Sequence, residues 1–139
     1  MLNKIRIASL AFGSLLFLAC SSTQELELGQ EAEWKENNEV RGKVVRTGEN
    51  SYEFREDLDK NGFYEKIYVT DNNELIEVRY LSPNGKIRQK INYFQGMVAS
   101  STLYNEDGSV KGIAYYEGET VTRVELPQLR KKVEFPKKK

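Results

Sequence analysis

Three dipeptides, Asn61-Gly62, Asn84-Gly85 and Asp107-Gly108, stand 23 residues apart, each followed by alternating apolar and polar residues. Asx-Gly pairs of this kind are the strongest short-range hairpin signals, because both residues tolerate the left-handed backbone a tight turn needs. The repeating units are LDKNGFYEKIYVTDNNELIEVRY (58–80), LSPNGKIRQKINYFQGMVASSTL (81–103) and YNEDGSVKGIAYYEGETVTRVEL (104–126). A second turn falls midway in each, at Asp71-Asn72-Asn73, Gln95-Gly96 and Glu117-Gly118. A turn about every 11–12 residues leaves strands of ordinary length and no room for long helices. Two-residue turns join only antiparallel neighbours. The spacing therefore predicts an all-β fold: an antiparallel meander of about eight strands built from 23-residue hairpin repeats, either an open curved sheet or a partly closed barrel. The predicted strands are 40–46, 50–57, 63–70, 74–81, 86–94, 97–104, 109–116 and 119–126.

Alternation assigns the faces. One face collects Tyr64 and Tyr68, then Ile76, Val78 and Tyr80, then Ile87, Ile91 and Tyr93, then Ala99 and Leu103, then Val110, Ala114 and Tyr116, then Val124 and Leu126. Lys86, Arg88, Lys90 and Asn92 lie opposite, giving one buried and one wet face. The first unit is apolar on both sides, since Phe63, Ile67 and Val69 oppose Tyr64 and Tyr68. The two earliest strands, carrying Val44, Tyr52 and Phe54, are expected to cover that second side.

The segments YLSPNGKIRQKINYFQG and LYNEDGSVKGIAYYEG resemble the variant MORN repeat: an aromatic, an Asn/Asp-Gly turn, a lysine-rich strand, a tyrosine and a second glycine. The resemblance covers residues 58–126 and implies an elongated open sheet used for scaffolding, protein contact or membrane-surface contact. Tyrosine gives contact area with a polar tip, so Tyr64, Tyr68, Tyr93 and Tyr116 are the candidate binding residues.

The chain opens differently. Lys4 and Arg6 precede an uncharged run, Ile7 to Ala19, that ends on Cys20, the only cysteine. A basic start, a short apolar core and a small residue at the end form the layout of a secretory signal peptide, here residues 1–19. The run is shorter than the about 20 residues that cross a bilayer. Leu16-Phe17-Leu18-Ala19-Cys20 resembles a lipobox, the acylation site of bacterial lipoproteins. The resemblance implies that Cys20 carries lipid and becomes the first mature residue. It also implies an address in the cell envelope, with Ser21 favouring the outer over the inner membrane. Two or more acyl chains hold a protein stably where one does not.

Composition narrows the chemistry. The 139 residues balance 21 basic against 21 acidic side chains, and removal of 1–19 leaves 19 against 21, which argues against a nucleic-acid binder. There is no histidine, and the lone cysteine is accounted for by the lipid. Histidine-dependent nucleophilic triads and His/Cys zinc sites are therefore excluded. Carboxylate-pair chemistry is permitted by composition but indicated by no spacing. The expectation is a protein that is not an enzyme and needs no cofactor beyond the covalent lipid.

Residues 20–39 are rich in glutamate and poor in branched apolar side chains, as expected of a flexible acidic tether that could reach about 25 Å as a coil. Trp34 is the exception, expected to pack on the edge of the 40–126 repeat domain. Residues 127–139 hold six basic side chains against Glu134 and read as a solvated basic tail, with contact to anionic lipid as the functional alternative. Asp57, Asp59, Asn61 and Glu65 match the start of an EF-hand loop, but loop position twelve is Tyr68, so any calcium site would be weak. A hairpin loop rich in Asp and Asn is the plainer reading.

The leading functional expectation is a lipid-anchored, non-catalytic binding or scaffolding module with an unidentified envelope protein as partner. The alternatives are a small-ligand carrier, if the sheet closes around a cavity, and the weak calcium module.

Overall fold

The computed structural model describes residues 24–136, with side chains from residue 26 onward, and the backbone of three short pieces nearer the start, Asn3–Ile5, Ala8–Ala11 and Ser14–Phe17. Cys20 lies outside the described residues. From Glu31 onward the chain forms a ten-stranded antiparallel sheet: β1 (Glu31–Glu36), β2 (Glu39–Gly48), β3 (Ser51–Glu56), β4 (Lys66–Asp71), β5 (Glu74–Leu81), β6 (Ile87–Phe94), β7 (Met97–Tyr104), β8 (Val110–Glu117), β9 (Thr120–Leu126) and β10 (Lys131–Glu134). Order in space is order in sequence, and β1 and β10 are not paired with each other, so the sheet is an open meander. Among the described residues no helix is long and apolar enough to cross a membrane.

The 23-residue period is physical. Gly62, Gly85 and Gly108 share the left-handed backbone, with φ of 86°, 83° and 90°. In the second unit the Ser82 amide donates to the Lys86 carbonyl (2.8 Å) and the Gly85 amide to the Ser82 carbonyl (2.9 Å). In the third, 23 residues on, Asn105 donates to Ser109 (2.8 Å) and Gly108 to Asn105 (3.0 Å). Register shifts recur with the same period, at Val69/Thr70, Asn92/Tyr93 and Tyr115/Tyr116. An inserted residue of this kind bends a strand and increases its twist. The first unit departs from the pattern before β4: residues 57–65 form a loop, so the strand starts at Lys66, later than the spacing predicts.

Register carries two rows across all ten strands. One runs Ala32, Val44, Phe54, Tyr68, Val78, Ile91, Ser101, Ala114, Val124, Val133. Its neighbour on the opposite face runs Glu33, Lys43, Arg55, Ile67, Arg79, Lys90, Thr102, Ile113, Glu125, Lys132. One face is thus aromatic and aliphatic and the other charged, as the alternation predicts, but burial does not follow the faces: Ile76 and Leu103 on the first are exposed, while Ile67 and Thr102 on the second are buried. The charged face is laced by pairs such as Arg55–Glu31 (3.4 Å), Lys43–Glu31 (3.5 Å), Arg79–Glu77 and Arg123–Glu125 (3.2 Å).

Three expectations are corrected. The early strands β2 and β3 do not lie over the second apolar side of the first unit; they extend the same sheet sideways. Ile67 on that side is nonetheless buried, at 9% exposure, because its cross-strand neighbours are Arg55 and Arg79. Their aliphatic stems cover it while the guanidinium groups reach Glu53 and Glu77. The second correction concerns the acidic segment. Residues 31–36 are an edge strand, turned into β2 by Asn37 and Asn38, both left-handed (φ 52° and 63°). Trp34 on this strand is 1% exposed and is the largest buried side chain, with Leu26, Val44 and Phe54 as its cluster and Ala32, Tyr52 and Tyr68 packed around it. One large apolar group removed from water stabilises by about 1.5–3 kcal/mol, which goes towards offsetting the ordering of its strand. The basic tail likewise yields a strand. Pro127–Leu129 make a single 3-10 turn, Arg130 closes it in the left-handed conformation (φ 52°), and β10 pairs back on β9.

Candidate functional site: the aromatic face

On the aromatic face the strands set Lys66 of β4 directly opposite Tyr80 of β5. Its ammonium lies 4.8 Å from the ring centroid of Tyr68 and 5.0 Å from that of Tyr80, inside the range of a cation–π contact. Burial alone would lower the Lys66 pKa, but the phenol groups of Tyr68 and Tyr80 outweigh it and hold it above its ordinary value. Burial pushes the Tyr68 phenol up, with Lys66 acting against it and the Glu56 charge adding to it. Burial also raises Tyr93, with the nearby Tyr80 contributing. Lys66, Tyr68, Tyr80 and Tyr93 are therefore one electrostatically connected group.

This group borders the buried cluster. Trp34 meets Phe54 edge-on at 5.4 Å and Tyr68 at 5.9 Å. Arg41 sits 6.0 Å above the indole and clamps two carboxylates, Glu36 at 3.5 Å and the buried Glu56 at 3.3 Å. Its charge keeps the Glu56 carboxylate paired where isolation would be costly.

The four candidate tyrosines divide. Tyr68 and Tyr93 belong to the lysine-centred group. Tyr116 lies apart, lining an open hollow of about 360 Å³ with Ile91, Met97, Val98, Gln89 and Ser101. Tyr64 stands in the loop before β4, where the Arg55 guanidinium lies 5.9 Å over its ring. It borders a second hollow lined also by Glu31, Glu33, Lys43, Asp57 and Lys60. Each acid there is engaged: Glu31 by Lys43 and Arg55, Glu33 by Lys35 at 3.2 Å, and Asp57 by backbone amides. Lys66 was not expected at the site. Its signal was available: the first residue of a strand faces the end of its hairpin partner, which here carries a tyrosine.

The loop of Asp57, Asp59, Asn61 and Glu65 uses its oxygens on itself. Asp57 accepts from the amides of Asn61 (3.2 Å) and Gly62 (2.9 Å), and Asn61 from that of Phe63 (2.9 Å). Glu65 accepts from the amides of Leu58 (3.0 Å) and Asp59 (3.4 Å). These are the self-capping bonds Asx-rich turns make. Among the described residues no group of three or more acidic, histidine or cysteine side chains is arranged to hold a metal ion.

No family profile and no curated protein matches this chain. Among solved structures, a GtfA/B complex aligns over 80% of this chain at 16% identity with a TM-score of 0.60, and the aligned part is 22% of that chain. The chain thus spans less than a quarter of the length of that neighbour, and what they share is the fold. Two structures of TarM, one of them a point mutant from S. aureus, align over 70% of this chain at 9% identity, with a TM-score of 0.35 and 17% of their length covered.

Proposed function

We propose that this chain is a lipid-anchored, non-catalytic sheet module of the bacterial cell envelope, held by Cys20 and presenting its aromatic face to a protein partner. The observation that carries this reading is the row Tyr68, Val78, Ile91, Ser101, Ala114, Val124, on which no second layer of the described chain is stacked. A largely apolar row, buried at Val78 and half-buried beyond it, flanked by tyrosines and a lysine, suits a contact with polar rim and apolar centre. The Leu16–Cys20 pattern supports the anchor, and Ser21 supports the outer membrane. The carrier alternative depended on a closed barrel, and this sheet is open.

A photo-crosslinking residue placed at Tyr93 or Tyr116 in the full chain, in intact cells, is expected to capture one discrete partner, while the same probe at Arg88 on the opposite face does not. Capture that is equal from both faces, or confined to abundant bystanders, refutes the reading. The anchor has its own test. Cys20→Ala is expected to abolish leader removal and membrane fractionation, and retention of both refutes it.

A further inference from the structure

The two open edges of the sheet carry opposite charge. β1 holds Glu31, Glu33 and Glu36 against Lys35, whereas β10 and the residue before it hold Arg130, Lys131 and Lys132 against Glu134. Because the meander has ten strands, an even number, β1 and β10 run in opposite directions. A second copy set beside the first by translation across the sheet therefore presents its β1 antiparallel to the first copy's β10. The register also continues. The charged row that begins at Glu33 ends at Lys132, and the apolar row that begins at Ala32 ends at Val133. Carried into the next copy, these rows set Lys132 opposite Glu33 on one face and Val133 opposite Ala32 on the other. Glu134 falls opposite Glu31, but each already has a cation: Lys132 at 3.0 Å from Glu134, and Lys43 and Arg55 on Glu31.

We propose that copies of this chain pair edge to edge, β10 of one against β1 of the next, in a head-to-tail extended sheet. Lysines on an edge ordinarily discourage pairing with another strand; here the opposite edge supplies the counter-charge. The register shift at Trp34/Lys35 and the four-residue length of β10 confine the pairing to Glu31–Trp34 against Lys131–Glu134, so the association is weak and concentration-dependent. The contact is heterologous: every assembly keeps one free β1 and one free β10, and growth does not stop at two. It uses the edges alone and leaves the aromatic face open, so it stands independently of the proposed function.

The test is made on the full chain in cells carrying Ala32→Cys and Val133→Cys. Opposed residues of an antiparallel pair have Cα atoms about 4.5–5.5 Å apart, within reach of a disulfide. A thiol oxidant is expected to give a ladder of dimer, trimer and longer species, while either cysteine alone, which faces no second thiol across this contact, gives no ladder. Adding Glu33→Lys sets two cations opposite each other and is expected to reduce the ladder about fivefold. Adding Lys132→Glu as well restores an opposite pair and brings the ladder back, which separates a lost contact from a lost fold. The absence of a ladder, a product that ends at the dimer, or indifference to the charge reversals overturns the proposal.

Discussion

Replacing Trp34 by alanine tests whether β1 is part of the folded sheet. The indole is 1% exposed and meets two aromatic rings edge-on, at 5.4 Å and 5.9 Å. Truncation of a buried tryptophan to alanine costs about 3–5 kcal/mol, of which each edge-on pair accounts for about 0.5–1.5 kcal/mol beyond area. One feature pulls the other way: the buried indole Nε1–H has no acceptor among the described residues. An unsatisfied buried donor costs about 1–3 kcal/mol. Phenylalanine keeps a ring and removes the orphan, so Trp34→Phe is expected to stay within about 1.5 kcal/mol of the parent, whereas Trp34→Ala loses about 3 kcal/mol. A domain of this size has only about 5–15 kcal/mol in all. Urea unfolding followed by far-UV circular dichroism measures both variants without relying on the indole signal. A Trp34→Ala variant within about 1 kcal/mol of the parent at unchanged urea dependence would falsify the docking of β1.

Three further outcomes are expected. A Cβ at Gly42 would sit 1.7 Å from the Arg55 carbonyl oxygen, so Gly42→Ala must separate β2 from β3 and cost about 3 kcal/mol or more; Gly108→Ala meets nothing within 4 Å and costs about 1 kcal/mol from its φ of +90° alone, and matched denaturant curves distinguish them. Tyr68 and Tyr93 have raised pKa values in the fold, so the folded state binds more protons than the unfolded one above about pH 10; their contribution is complete below the ordinary tyrosine pKa and is lost as pH rises through the folded values, which a melting series from about pH 8 to 11 reads as a decline confined to the alkaline end. Because Asp57 and Glu65 cap their own loop, millimolar calcium is expected to leave the melting temperature unchanged, while Asp57→Ala, which frees two amides, lowers it by a few degrees; a rise with calcium would show that the loop opens to bind.

The repeated units were legible because glycine spacing and alternation act locally: both the turn chemistry and the face of each side chain are written within a dozen residues. The rows through Tyr68, Val78 and Ile91 follow directly. The edge strands were not legible from the same kind of signal. Residues 31–36 contain three glutamates, and composition alone assigns such a segment to solvent; one tryptophan reversed that balance through Leu26, Val44 and Phe54, three separate parts of the chain. A local clue existed, since Glu36-Asn37-Asn38-Glu39 repeats the turn chemistry of Asp71-Asn72-Asn73-Glu74, and both Asn pairs have positive φ. β10 was hidden for the same reason, lysines masking a strand whose partner is β9. At the site, the tyrosines were visible as residues but not as a group. Their division depends on cross-strand register, above all on Lys66 facing Tyr80.

The uneven cover of the sheet has a mechanical consequence. Each strand leans only on its immediate neighbours, and the buried aromatic cluster lies at the end that holds Trp34, with Val78 and Thr102 buried farther across. Such a ribbon has no keystone at its far side. It frays from Lys131–Glu134 inward, and amide deuteration should sweep across it as a graded wave that halts at the indole, rather than arriving everywhere at once.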